Sequence, residues 1–143
     1  RKEIATAPAF VYVLVQIAGA IAGVLLANAM FDLPVLQISE KLRSSPGQWL
    51  SEVVATFGLV LAIFMALRAR PEAVATVVGL YITAAYWFTA STSFANPAVT
   101  IARQFSNTFA GIAPSGVALF IAAQMAGAVM AVLLDRFLAD SRR

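Results

Sequence analysis

Four long stretches without a charged side chain constrain this chain more than any other feature of its sequence. The stretches cover residues 4–31, 53–67, 73–102 and 104–134. A helix needs about 20 predominantly apolar residues to cross a membrane, and none of the stretches carries the polar stripe of a soluble surface helix. The sequence therefore predicts an all-α membrane protein in which four helices span the bilayer, at about residues 8–31, 49–68, 73–93 and 115–137.

The residue types that are missing exclude several classes of function. The chain contains neither cysteine nor histidine, so it offers no ligands for a zinc site and no base for a Ser-His-Asp triad. The basic residues are scattered singly between apolar runs rather than gathered on one face, which argues against nucleic-acid binding. We therefore expect no enzymatic activity, no cofactor, no metal and no nucleic-acid partner.

Two of the predicted spans resemble each other. Residues 16–26 (QIAGAIAGVLL) align with residues 124–134 (QMAGAVMAVLL), and seven of the eleven positions are identical. Two predicted spans lie between the copies, so the copies would cross the membrane in opposite directions. This is the pattern of an inverted repeat, in which solutes bind or pass at the interface between the repeats. The repeat unit would hold three spans, so the chain is expected to lack the first two spans of a longer protein.

The uncharged stretch 73–102 is too long for one span and too short for two, and Asn96-Pro97 interrupts it. Proline fits best at the first position of a helix, and asparagine is a favourable N-cap. We therefore predict a half-helix over residues 97–107 that begins within the membrane. Irregular backbone at that depth is tolerated only where it is buried or lines a wet cavity. The alternative interpretation is a surface turn, the usual meaning of Asn-Pro.

At this point the residues resemble a known family. Asn96-Pro97-Ala98 is similar to the NPA motif of the aquaporin, or major intrinsic protein, family, and Glu52 is similar to its intramembrane glutamate. The resemblance covers nearly the whole chain. It implies a single, partial, aquaporin-like transmembrane domain over residues 1–143, an inverted-repeat helical bundle with four spans and one re-entrant half-helix. It also implies that the Asn96 amide and the backbone carbonyls of about residues 92–95 line a pore.

The positions that correspond to the family's selectivity filter are small or uncharged. They are Ala84, Ser93 and Val99, and most members have arginine at the position of Val99. The resemblance therefore implies a wide filter, suited to glycerol-sized polyols or neutral metalloid hydroxides, as in bacterial aquaglyceroporins linked to arsenic resistance. The alternative interpretation of Ala84 and Val99 is ordinary helix packing.

Glu52 is the one carboxylate well inside a predicted span, where an ionisable group is functional or paired by default. By resemblance it is a structural anchor that accepts hydrogen bonds from re-entrant backbone N–H groups. Three hypotheses follow: a passive channel for water and small neutral solutes, a proton-coupled secondary carrier that uses Glu52, and an assembly fragment without transport of its own.

The distribution of lysine and arginine predicts the orientation in the membrane. With both termini inside, seven basic residues lie inside and three outside. The inner group is Arg1, Lys2, Arg68, Arg70, Arg136, Arg142 and Arg143; the outer group is Lys41, Arg43 and Arg103. We expect a multi-pass protein of the bacterial inner membrane, in contact with the lipid bilayer, and the resemblance implies a homotetramer at full length.

Overall fold

The computed structural model describes residues 4–141, and within that range all regular structure is helical. The helices are α1 (Thr6–Met30), α2 (Pro46–Ala69), α3 (Val74–Phe88), α4 (Pro97–Ala102) and α5 (Pro114–Asp140). Short 3-10 helices precede α3, at Pro71–Ala73, and follow α4, at Arg103–Phe105.

Three of the helices in the described range are long and apolar enough to cross a membrane: α1, α2 and α5. The third predicted span, 73–93, corresponds to α3, which has only 15 residues and ends at Phe88. The all-helical membrane class is thus supported, and the arrangement with four spans stays a prediction. Of the basic residues that predict the orientation, Arg1, Lys2, Arg142 and Arg143 lie outside the described residues.

Proline marks the start of three of these helices. Pro46, Pro97 and Pro114 each occupy the first position of α2, α4 and α5, where the missing N–H costs nothing and the fixed φ suits the helix. At α2 the preceding Ser45 completes a capping box, because its hydroxyl accepts from the Gln48 N–H and the Gln48 side chain accepts from the Ser45 N–H. This box begins α2 three residues before the predicted start of the span.

The chain divides into two compact units. The first unit, residues 4–42 with 97–117, packs α4 against α1. Asn28 is the one residue of α1 that is buried in the described structure, and its side-chain amide donates to the carbonyls of Val35 (3.0 Å) and Phe105 (2.8 Å). These bonds connect the end of α1 to the segments that follow α1 and α4.

The second unit, residues 43–96 with 118–141, packs α2 against α3 and α5. Its interior contains Ala55, Ala85 and Phe120, each fully buried. A Cβ atom at Gly127 of α5 would clash with the carbonyl oxygen of Val53 of α2, so glycine allows the two helices to approach closely. This unit carries the segment that leads into the NPA motif.

Candidate functional site

The chain between α3 and α4 forms an irregular loop, residues 89–96, that ends at the NPA motif. Thr92, Ser93 and Ala95 have positive φ values of 62°, 45° and 49°. Residues with a side chain rarely adopt this left-handed region, at a cost of roughly 1–3 kcal/mol each. None of the three is glycine, so the surrounding structure must hold the loop in place.

Glu52 of α2 provides the central support of this loop. Its side chain is fully buried, and its two carboxylate oxygens accept from the backbone N–H groups of Phe94 and Ala95, both at 2.9 Å. The side-chain amide of Gln124, on α5, donates to the same carboxylate at 2.6 Å. Each oxygen thus accepts at least one hydrogen bond, and the carboxyl group joins the loop to α5.

Arg43 contacts the loop at two places, a backbone carbonyl and an aromatic ring. The guanidinium donates to the carbonyl of Ser91 at 2.8 Å, and its central carbon lies 4.9 Å from the centre of the Phe94 ring. Arg43 is only 2% exposed. Phe94 also packs against Phe120 of α5, whose ring centre lies 5.4 Å from that of Phe94 in an edge-to-face arrangement.

Three hydroxyl groups make further hydrogen bonds to the loop backbone or at its start. Ser51 accepts from the Ala90 N–H at 3.1 Å, and Ser91 accepts from the Ser93 N–H at 3.2 Å. The Thr89 hydroxyl donates to the Ala85 carbonyl at the end of α3. Side chains from the start of α2, from α5 and from the loop itself therefore fix a conformation that its own residue types disfavour.

The helix after the loop begins at Pro97, as the sequence predicts. Asn96 stands directly before it and is half-buried, and Ala98 is buried. The α-helical part ends at Ala102 and a 3-10 turn continues to Phe105, so the helical segment is shorter than the predicted 97–107. The pore-lining role of Asn96, Pro97 and Ala98 stays a prediction.

The three predicted filter residues have different environments. Ser93 is buried in the loop, and Ala84 is exposed on α3. Val99 is half-buried on α4 and lines a cavity of about 600 Å³ in the first unit, together with residues of α1 and of the segment 102–110. Their role in selectivity stays a prediction. Within residues 4–141 no group of three or more acidic side chains is placed to hold a metal ion.

Sequence reasoning missed two members of the site. Gln124 is noticed as part of the repeat, but its bond to Glu52 is not predicted, because the two residues are 72 positions apart. Arg43 is assigned to an outer loop by the charge pattern, whereas the structure buries it against a loop 48 residues later. Glutamine and arginine next to apolar spans are common, and no local pattern signals either contact.

A comparison with known proteins identifies one similar curated protein. The chain is 59% identical over 132 residues to aquaglyceroporin AqpS of Rhizobium meliloti (strain 1021). The alignment covers 92% of this chain and 57% of that protein, so the chain spans a little over half the length of the relative that it matches. No protein-family model matches the chain, and no solved structure matches it.

Proposed function

Because the chain belongs to the aquaporin, or major intrinsic protein, family, we propose that it forms part of a passive channel for water and small neutral solutes in a bacterial membrane. It is a multi-pass membrane protein and not an enzyme. The observation that carries the proposal is the loop 89–96, which runs into α4 and is held by buried Glu52. Such a loop is tolerated at membrane depth where it lines a cavity.

The chemistry of this segment suits a neutral solute that loses its water shell. Backbone carbonyl oxygens of about residues 92–95 can accept hydrogen bonds, and the Asn96 amide can donate one. The N-terminus of α4 adds partial positive charge, which opposes cations more than neutral molecules. Together these groups would replace hydration for a polyol without attracting an ion.

The proposed filter of Ala84, Ser93 and Val99 favours solutes larger than water. None of the three side chains is charged or bulky, so the proposed passage is wide and offers a solute few groups that bind it strongly. We propose glycerol-sized polyols and neutral metalloid hydroxides as solutes, with a homotetramer in the bilayer as the assembly.

Swelling of vesicles tests the solute range. We expect vesicles that contain the protein to swell in gradients of glycerol and of arsenite faster than empty vesicles do. Val99→Arg should lower glycerol flux about tenfold or more while water still passes, since a bulky cation then narrows the path. Val99→Leu is the matched control, because it adds bulk at the same position without charge. A protein that passes water but neither solute would contradict the proposal.

A proton-coupled carrier that uses Glu52 is the competing function. Two backbone N–H groups and the Gln124 amide all donate to this carboxylate, so protonation would place an O–H where donors already point. That arrangement supports an anchor rather than a proton relay. The two roles make opposite predictions for the same substitution.

Glu52→Gln distinguishes the anchor from the relay. An anchor predicts that the variant loses about 1–3 kcal/mol of stability, because an amide cannot accept from every donor, and that transport by the folded fraction keeps its dependence on pH. The yield of folded protein and uptake at several pH values measure both. Glu72→Gln, at an exposed acid outside the site, is the control. Normal yield with loss of proton-coupled uptake would establish the carrier instead.

A further inference from the structure

In the proposed filter, Val99 stands where most members of the family carry a cation, and the structure holds a buried arginine, Arg43, beside the loop 89–96. We propose that Arg43, from the segment before α2, supplies the positive charge that excludes cations at the outer mouth of the channel. This inference rests on the proposed channel function and assigns to Arg43 a role in selectivity.

The position of Arg43 is fixed by contacts on two sides. Its Nη1 donates to the Ser91 carbonyl at 2.8 Å, and its guanidinium lies over the Phe94 ring at 4.9 Å. Phe94 is itself 3% exposed and packs against Phe120. The charge is therefore held at one place, next to the backbone that leads to Asn96, rather than moving on a flexible side chain.

The same backbone is held at neighbouring atoms by a carboxylate. Glu52 accepts from the N–H groups of Phe94 and Ala95, while Arg43 donates to the carbonyl of Ser91. The left-handed residues Thr92 and Ser93 lie between these two attachments. A guanidinium at this position stands at the beginning of the row of carbonyls that the proposed function assigns to the solute path.

The chemistry of arginine suits this task. A guanidinium stays protonated in proteins and accepts no hydrogen bond, and burial weakens the screening of its charge by water and salt. It therefore repels a cation that approaches the carbonyls but leaves a neutral polyol unaffected. Two other basic residues differ from it: Lys41 is exposed on the same segment, and Arg103 lines the cavity of the first unit.

Arg43→Cys tests the proposal, because the chain has no other cysteine. In vesicles, we expect the parent to pass glycerol and to exclude sodium ions. In the variant, the sodium leak measured relative to the glycerol flux should rise about tenfold or more, since the fixed charge is gone. Modification of the new thiol with aminoethyl methanethiosulfonate, which restores a positive charge, should suppress the leak. The uncharged methyl methanethiosulfonate should not.

Control variants separate the charge at position 43 from charge elsewhere. Lys41→Gln and Arg103→Gln each remove one positive charge from the predicted outer side of the membrane. Neither variant should leak sodium ions. A leak in Arg103→Gln with none in Arg43→Cys would assign the barrier to Arg103 and overturn the proposal. If the uncharged reagent also suppresses the leak, Arg43 blocks sodium ions by its size rather than by its charge, and the proposal is overturned.

Folding and channel activity are checked separately. If Arg43→Cys does not fold, Arg43→Gln, which keeps an amide donor for Ser91, is measured in the same way. A parent protein that passes no glycerol would refute the channel function itself. If the parent passes glycerol and a folded Arg43→Cys or Arg43→Gln variant still excludes sodium ions, only the role of Arg43 is refuted.

Discussion

The two copies of the internal repeat have similar sequences and different environments. In α5, Gln124 is buried and bonded to Glu52, and Gly127 allows close contact with Val53 of α2. In α1, Gln16 is exposed, and a Cβ built on Gly19 would have no described atom within 4 Å. Close contact between helices at the small residues is therefore present in one copy and absent from the described neighbours of the other.

This difference shows what a pattern of small residues contributes to a helix. Glycine and alanine permit two backbones to approach, but they supply little attraction of their own, so a neighbouring helix must be present to use the surface. The copy in α5 has such a neighbour in α2. In the copy in α1, no described atom lies within 4 Å of a Cβ built on Gly19 or Gly23, and the buried residue of α1 lies further along, at Asn28.

Valine at the first glycine of each copy should give the largest contrast. A Cβ at Gly127 would clash with the Val53 carbonyl and lie 3.0 Å from the Phe57 nitrogen, so Gly127→Val should cost about 1–3 kcal/mol or more of stability. Gly19→Val should change stability by less than about 0.5 kcal/mol. Thermal unfolding in detergent measures both. Equal damage in the two variants would show that α1 also meets a close neighbour in the assembled protein.

Replacing the glutamine of each copy should give a smaller contrast. Gln124→Met removes a donor from the buried carboxylate of Glu52, which should cost about 1–3 kcal/mol, less than the clash at Gly127 because methionine adapts to the space. Gln16→Met should have little effect, since Gln16 is exposed. Denaturation midpoints of the two variants give the comparison. If Gln16→Met destabilises as strongly, the two glutamines have equivalent roles and the contrast between the copies fails.

The smallest effect is expected just after each copy. Asp135 forms an ion pair with Arg68 at the end of α2, whereas the matching position in α1 is Ala27, which lines the cavity of the first unit. The Arg68 side chain is 39% exposed, so Asp135→Asn should cost less than about 1 kcal/mol. The loss should shrink at high salt, because salt screens exposed pairs. A salt-independent loss would indicate a packing role for Asp135 instead.

The sequence predicts the helices through signals that lie close together along the chain. The uncharged runs locate α1, α2 and α5, and Asn96-Pro97 gives the first residue of α4. The ends are less well predicted: α3 stops at Phe88 because the chain turns into the loop there, and the helix that begins at Pro97 loses its α-helical form after Ala102. These ends depend on tertiary contacts, for which the sequence carries no local pattern.

The site is predictable only where a motif or a resemblance marks a residue. Glu52 is noticed because a carboxylate inside an apolar run is rare. Arg43 and Gln124 are not, because each acquires its role from a partner far along the chain, Ser91 in one case and Glu52 in the other. Burial of an arginine depends on what surrounds it, and a basic residue near the end of a span usually indicates only the side of the membrane.

The left-handed backbone at Thr92, Ser93 and Ala95 also has a kinetic consequence. A loop held against its own preference by Glu52 stays ordered only while α2 and α5 remain together, so it should relax as soon as the two helices separate locally. The amide hydrogens of Phe94 and Ala95 would then exchange with solvent at the rate of that separation, well before global unfolding. Their exchange rates report how often the interior of the second unit opens.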